Sequence, residues 1–409
     1  MKTTTFHSLM ALGLVMQGAA AVVNAENATN VEILSATVRD QKIEGASVIL
    51  QMNGEQSVAI TTDSQGRAPV RESIAKDPAA LIIVHKAGYS DLVAKCPCVG
   101  MTYAVSPVMN TLDGMRIVLN WGAHPDDLDG HLAFAGNHVS FSSKVGADAQ
   151  LDVDHLDGYG PETITVGRRH AGVRYVYAVH DYWDRTKPDT PDLSASDAKV
   201  FVYIGQTLIR TYYVPKGRKG NIWTVFAISK DGELQDINTM SGAYASSFKD
   251  VTTALLFGDS APDHELHVNA SAAPAAVTSP VPEEARKLNT QGETAYRAGD
   301  YPRALQLFQA AIAIDDSYGQ AYSNLGLVFQ KSGRVAEALW ANRKAIVLAN
   351  GPNAATTRAS THFNNGRIYE EKEQWGDALR EYQAAQGEKN NSVYETAIAR
   401  AEQHGAHQP

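Results

Sequence analysis

The chain has 409 residues, of which 44% are hydrophobic and 20% charged, and its formal net charge is −9. This length allows two or three domains, and the ordinary globular composition excludes wholesale disorder and a collagen-like fold. The acidic balance argues against a nucleic-acid-binding protein, and no interior segment reaches the roughly 18 apolar residues of a membrane span.

The N-terminal residues have the pattern of a secretory signal peptide. Lys2 supplies a positive charge, residues 9–23 are apolar or small apart from Gln17, and small residues precede a cleavage point after Ala25. We therefore expect residues 1–25 to be removed and the protein to be periplasmic or secreted. An uncleaved N-terminal anchor is the alternative.

Residues 31–108 contain short apolar segments separated by glycine-rich turns, a pattern that predicts a β-sandwich. Gly-Ala-Ser-Val at 45–48, Thr-Asp-Ser-Gln-Gly at 62–66 and Lys-Ala-Gly-Tyr at 86–89 follow in this order. The order resembles that of carboxypeptidase-regulatory-like domains. The resemblance implies a structural or spacer module without catalytic residues.

The two cysteines of the chain, Cys96 and Cys98, flank a proline. Export would permit a disulfide between them, and such a bond would act as a local staple of the loop. A redox or soft-metal role is the alternative, and the sequence does not decide whether the two sulfurs are bonded.

Residues 112–267 form the central segment, which we predict to be a second all-β domain, most simply a sandwich. The segment at 173–180 alternates apolar and polar residues, and no helical period occurs before residues 250–256. The other predicted strands lie at residues 115–121, 199–203, 208–214 and 222–228.

Histidines and acidic residues are concentrated in the first half of this central segment. Asp127, Asp129 and His131 alternate, as do Asp152 and Asp154, and alternate residues of a strand share one face. If the two stretches adjoin, their carboxylates repel one another unless a cation neutralises them. The predicted ligands are Asp127, Asp129, His131, Asp152, Asp154, Asp157 and His180.

The identity of this divalent cation is left open by the residue types. Carboxylate oxygens favour calcium, whereas His131 and His180 would favour zinc or manganese. The alternative is that the acids only form turns, caps and salt bridges. Because no phosphate-binding loop is present, we expect no nucleotide or organic cofactor.

Ala-His-Pro-Asp-Asp at 123–127 is similar to the start of zinc-dependent N-acetylglucosaminyl deacetylases. This resemblance implies that His124 and Asp127 bind zinc and that Asp126 is the catalytic base, and a hydrolase of this kind would also use His131. Leu128 departs from the family's pattern, and the βαβ alternation of that fold is absent. The motif therefore defines the alternative function, a metal-dependent hydrolase acting on an envelope glycan or peptide.

A longer resemblance covers most of the central domain. Three segments carry it: Leu-Asn-Trp-Gly-Ala-His-Pro-Asp-Asp-Leu-Asp-Gly-His-Leu at 119–132, residues 151–164 with Gly-Tyr-Gly-Pro-Glu-Thr, and Tyr-Ala-Val-His-Asp-Tyr at 177–182. Together these segments resemble the YfaP-like bacterial domain family. The resemblance carries no activity, but it implies that these blocks belong to one module.

Residues 268–284 are rich in alanine, serine and proline, which predicts a linker. Residues 285–404 are repetitive, because Gly292 aligns with Gly326 and Ala304 with Ala338 at the 34-residue period of tetratricopeptide repeats. A third copy around Gly366 is displaced by six further residues. The pattern predicts three tetratricopeptide repeats and a capping helix at 392–403.

Such arrays bind proteins or peptides in a groove formed by the first helix of each repeat. The mixed charge of the predicted groove shows no preference for an acidic or a basic peptide, and a spacer or dimerisation role is the alternative. The expected partner-binding residues are Asn289, Glu293, Tyr296, Arg297, Leu327, Lys331, Phe363, Arg367 and Glu370.

The sequence thus predicts a multidomain protein with two all-β sandwich domains followed by an all-α tetratricopeptide-repeat solenoid. The preferred function is an exported, non-catalytic binding or adaptor protein that has a cation site and docks a protein partner.

Overall fold

The computed structural model describes residues 28–244, except 53 and 55, and residues 281–405. The predicted signal peptide, the predicted helical stretch at 250–256 and most of the predicted linker lie outside these residues. Within the described residues, two β-sandwiches precede a helical solenoid. This arrangement confirms the predicted fold class.

The first sandwich has a three-stranded sheet of order β4-β1-β7 facing a four-stranded sheet of order β3-β2-β5-β6. In β4, Ala68 and Val70 are buried between exposed neighbours, so strand alternation supplies the core. Cys96 and Cys98 are buried and joined by a disulfide. The elements are β1 (Ala28–Ser35), β2 (Ser47–Gln51), β3 (Val58–Thr61), β4 (Arg67–Arg71), α1 (Glu72–Ala75), β5 (Leu81–His85), β6 (Leu92–Lys95) and β7 (Thr102–Val105).

The second sandwich pairs a six-stranded sheet of order β11-β12-β13-β8-β15-β16 with a five-stranded sheet of order β10-β9-β14-β17-β18. The strands are β8 (Met115–Asn120), β9 (Leu128–Phe134), β10 (Asn137–Val139), β11 (Val145–Gly146), β12 (Ala149–Val153), β13 (Glu162–Val166), β14 (Tyr175–Asp181), β15 (Lys199–Ile204), β16 (Thr207–Tyr213), β17 (Ile222–Ile228) and β18 (Leu234–Ser241), with the short helix α2 (Asp192–Ala195) before β15. Strand β18 was not predicted, because it is largely polar and exposed at the sheet edge.

The two sandwiches share an apolar interface. In β8, Ile117 and Leu119 face the core of the second sandwich, whereas Val118 belongs to the core cluster of the first. Phe201 and Tyr203 of β15 join that same cluster. The six-stranded sheet is therefore buried on both faces at β8 and β15, which explains the unbroken apolar runs at 117–119 and 200–204.

The solenoid consists of three antiparallel helix pairs and a final helix. Glycines let the helices of a pair approach closely: a Cβ on Gly292 would lie 2.6 Å from the Phe308 ring, and one on Gly366 would lie 2.4 Å from the Tyr382 ring. The helices are α3 (Glu283–Arg297), α4 (Tyr301–Ile314), α5 (Gly319–Lys331), α6 (Val335–Leu348), α7 (Ala354–Glu371), α8 (Trp375–Glu388) and α9 (Ser392–Gln403).

The solenoid packs against the second sandwich mainly through the second helices of its pairs. Buried Glu337 of α6 accepts hydrogen bonds from the Gln206 amide and the Thr207 hydroxyl. Arg343 of α6 donates to Asp113 at 2.6 Å. Tyr369 of α7, a first helix, also donates to Asp113, and Tyr322 and Phe329 of α5 line a cavity at the same interface. Among the described helices, none has the length and apolar composition that crossing a membrane requires.

Candidate functional site

Strand pairing places three ligand-type side chains on one face of the five-stranded sheet. In the register of β9 and β14, Asp129 lies opposite His180 and His131 lies opposite Ala178. Their neighbours Leu132 and Val179 point into the sandwich core, so by alternation the polar residues occupy the other face. Asp129, His131 and His180 are nevertheless at most 1% exposed.

Two carboxylates from the opposite sheet join this group at its edge. One ligand atom each from Asp129, His131 and His180 lie within 4.8 Å of one another, and the same is true of Asp129, Asp154 and Glu162. Asp154 follows β12 and Glu162 begins β13, so both sheets contribute. We call these five residues the Asp129 cluster.

The carboxylates of the cluster are buried without full hydrogen bonding. Within residues 28–244, as far as they are described, both oxygens of Asp129, Oε2 of Glu162 and Oδ1 of Asp154 are buried and have no hydrogen-bond partner. The other Glu162 oxygen accepts from the Gly130 amide at 2.6 Å. Buried polar atoms of native proteins normally have partners, so this arrangement requires an explanation.

Burial and neighbouring charges shift the pKa values of the cluster's ionisable groups toward their neutral forms. Burial, together with the nearby Asp127 and Asp154, holds the pKa of Asp129 well above its usual range. Burial and Asp129 do the same to the pKa of Glu162. Burial lowers the pKa of His180 to about 4, and it lowers that of His131 as well. Neutral imidazoles therefore stand beside carboxyl groups whose charged forms are disfavoured by burial and by one another.

Further rings cover the imidazoles. Nδ1 of His131 lies 2.9 Å from Nε2 of His138, and the two rings stack. Tyr182 contacts His180 edge-on, and Phe141 packs against Tyr182. Such contacts fix ring orientation, as the outer groups around a metal site do.

Asp152 and Asp154 do not share a face, contrary to the prediction. The register of β12 and β13 shifts between Leu151 and Val153, which marks a β-bulge, and a bulge reverses the facing of every later residue. Asp154 consequently turns toward Glu162. Asp152 instead accepts hydrogen bonds from Thr165 and, at 2.6 Å, from Gln150. The structure therefore does not bring Asp152 into the cluster.

Two further predicted ligands, Asp127 and Asp157, are not among the five residues of the Asp129 cluster. Asp127 is next to the cluster, and burial and Asp154 raise its pKa to about 6. Asp157 is exposed. Glu162, in contrast, was not predicted as a ligand. One feature of the sequence could have indicated Glu162 as a ligand. It is an acidic residue at the start of a largely buried strand, directly after Gly160-Pro161.

The deacetylase-like residues do not form the ligand set that the resemblance implies. The side chain of His124 is 85% exposed and lies 3.0 Å from Asp126. Neither residue is in the Asp129 cluster, whereas His131 is buried there. The chain around them is part of an antiparallel sandwich rather than a βαβ unit.

The solenoid brings several of the predicted partner-binding residues together. Glu293, Tyr296, Arg297 and Leu327 line a cavity of about 160 Å³ between α3 and α5. Lys331 ends α5, and Arg367 of the third repeat is exposed. Three other predicted residues are engaged within the solenoid: Asn289 bonds Asn324, Phe363 packs on Tyr382 and Tyr394, and Glu370 pairs with Arg400.

Comparison with known proteins agrees with the repeat architecture. A TPR repeat model matches residues 292–333, from within α3 to just past the end of α5. The C-terminal region therefore contains a TPR repeat, which is a protein-interaction unit. No curated protein is significantly similar to the chain.

Several solved structures are similar to about 30% of this chain. The Arabidopsis OM64 TPR domain is 17% identical, with coverage of 30% of this chain and 97% of that one and a TM-score of 0.27. The N-terminal domain of stress-induced protein-1 from C. elegans is 19% identical, with coverage of 29% and 94% and a TM-score of 0.28. The Yersinia enterocolitica chaperone SycD, in complex with a YopD peptide, is 16% identical, with coverage of 29% and 93% and a TM-score of 0.27.

Proposed function

We propose that the protein is a non-catalytic adaptor that docks a peptide segment of a partner protein in the concave groove of its solenoid. The observation that carries this proposal is that the groove residues are separate from the residues that hold the solenoid to the sandwich. Ion pairs and hydrogen bonds from α6, including Glu337 and Arg343, hold it to the sandwich. The groove lined by Tyr296 and Leu327 is formed by other residues of the solenoid than these contacts.

The charges of the groove favour an acidic peptide. Glu293 already accepts hydrogen bonds from Asn289 and Asn324, and Glu370 is paired with Arg400. Arg297 and Lys331 have no ion-pair partner among residues 281–405. Positive charge is therefore available at the groove, while its negative charge is used within the fold, and a peptide with carboxylates complements it.

Affinity capture with purified protein tests the adaptor function. The double variant Tyr296→Ala/Leu327→Asp should lose the partner that the wild-type chain retains, and the capture should weaken as salt is raised. Val393→Asp on α9, an exposed apolar residue outside the groove, is the matched control and should retain it. Equal capture by the groove variant and the wild-type chain would contradict the proposal.

We also propose that the adaptor is exported. The apolar segment at 9–23 and the small residues before Glu26 support this, and a disulfide between Cys96 and Cys98 fits an oxidising compartment. Cell fractionation should recover a chain that begins at Glu26 from the periplasm or medium. Recovery of an uncleaved chain from the cytosol would refute export.

The two β-domains would then serve as a rigid platform for the solenoid. The resemblance of residues 31–108 to carboxypeptidase-regulatory-like domains supports a structural role of this kind. The hydrolase alternative has less support, because His124 and Asp126 stand apart from the buried ligand-type residues.

A further inference from the structure

We propose that the Asp129 cluster binds one divalent ion of the zinc type, held by Asp129, His131 and His180, and that this ion stabilises the second sandwich. The site goes beyond the proposed adaptor function and does not depend on the peptide groove. Its primary evidence is the convergence of three ligand atoms within 4.8 Å on side chains that are at most 1% exposed.

The unpartnered oxygens of Asp129 point independently to a ligand. An isolated ionised carboxylate without hydrogen bonds is expensive to bury, so such groups are paired or coordinate a metal. In the described part of the chain, neither oxygen of Asp129 has a hydrogen-bond donor, and the neighbouring Glu162 has one oxygen in the same condition. A bound cation would satisfy both residues at once.

The charge balance favours a single ion. Asp129, Asp154 and Glu162 together carry three negative charges when ionised, and Lys144 compensates one of them through its 2.9 Å contact with Asp154. One divalent cation neutralises the remaining two, while Asp127 beside the cluster has the positive charge of Arg185 nearby. A second divalent ion would leave excess positive charge in a buried place, which is as unfavourable as excess negative charge.

The donor atoms favour a zinc-type ion over calcium. Two imidazoles and a carboxylate are a common ligand set for zinc, and Glu162 or Asp154 can complete a fourth position. Calcium takes six to eight oxygens and does not favour imidazole. The cluster is also closed to solvent, as structural zinc sites are, whereas catalytic zinc keeps a position for water or substrate. We therefore assign the ion a stabilising role.

The test begins with the full-length protein stripped by a chelator and then titrated with Zn²⁺ or Ca²⁺. We expect about one Zn²⁺ per chain by elemental analysis and a rise in the thermal midpoint of at least about 5 °C at saturating Zn²⁺. Ca²⁺ should produce no comparable rise. The Co²⁺-substituted chain should show the visible absorption bands of a low-symmetry nitrogen and oxygen site.

Variants locate the site. Asp129→Asn and His180→Gln should each weaken Zn²⁺ binding more than tenfold, and His138→Gln should weaken it about tenfold because that ring orients His131. His124→Gln and Asp157→Asn replace exposed candidates in the same domain and should bind Zn²⁺ like the wild-type chain. Because a variant that fails to fold would not bind, circular dichroism of each metal-free variant accompanies the titration, and the Co²⁺ spectrum of the wild-type chain provides evidence independent of any variant.

Three results would overturn the assignment. They are a folded, stripped wild-type chain that takes up no Zn²⁺, a chain stabilised by Ca²⁺ and not by Zn²⁺, and a His124→Gln variant that loses Zn²⁺ while Asp129→Asn retains it. Unchanged partner capture by the metal-free protein would leave the assignment intact, since the groove is on a separate domain.

Discussion

The interface between the second sandwich and the solenoid can be tested by breaking the buried ion pair between Asp113 and Arg343. Asp113 is 6% exposed and accepts from Arg343 at 2.6 Å and from the Tyr369 hydroxyl at 2.9 and 3.1 Å. In Asp113→Asn the shape is preserved, but the Arg343 guanidinium loses its counter-charge in a buried place.

The expected loss follows from the burial of the pair. Removing one partner of a buried ion pair costs about 3–5 kcal/mol. Because Arg343 keeps its 2.8 Å hydrogen bond to Tyr369, we expect a loss near the lower end, about 3 kcal/mol. Urea unfolding at neutral pH measures this loss, and Glu72→Gln is the control. Glu72 pairs with Lys76 at the surface, so its replacement should cost about 1 kcal/mol or less.

The pH dependence provides a second check. Burial alone would raise the pKa of Asp113, but Arg343 and Arg169 hold it below its ordinary value of 3.8. A carboxyl with a depressed pKa stabilises the fold above the unfolded value and loses this contribution as the pH falls through the folded value. The difference between wild type and Asp113→Asn should therefore shrink once the pH falls below about 4. A loss under about 1 kcal/mol at neutral pH, or a difference that grows in acid, would refute the reasoning.

Two further predictions concern the other packing interfaces. Burial lowers the pKa of Lys199 from its ordinary value of 10.5 to about 8. Between these two pH values the unfolded chain binds more protons than the folded chain. The free energy of unfolding should therefore rise with pH in this range, by up to about 1.4 kcal/mol per pH unit. Lys199→Met should abolish this rise in urea titrations at several pH values, and an unchanged slope would contradict it. Gly366→Ala should destabilise the solenoid by about 1–3 kcal/mol because the new methyl group meets the Tyr382 ring. Gly376→Ala, where the added Cβ meets no atom within 4 Å, should be tolerated, and equal thermal midpoints for the two variants would show that the close approach does not matter.

The sequence was most informative where structure depends on a local period. The alternating segment at 173–180 predicted the strand Tyr175–Asp181, and the 34-residue spacing of Gly292 and Gly326 predicted the helix pairs. The predicted capping helix at 392–403 agrees with α9, Ser392–Gln403. The sequence predicts these features because each depends on residues close together in the chain or on one repeated contact between neighbouring helices.

The membership of the Asp129 cluster was decided by tertiary structure. No local sequence pattern predicts the bulge in β12. This bulge turns Asp154 toward Glu162, whereas Asp152 turns away and accepts a hydrogen bond from Thr165. Likewise, only the meeting of two sheet edges brings Glu162 within reach of Asp129, 33 residues earlier in the chain. The alternation of residues along a strand determines which side chains can share a face. Which faces meet is determined by strand register and sheet packing. Register and packing depend on contacts between residues far apart in the sequence, so the local sequence does not reveal them.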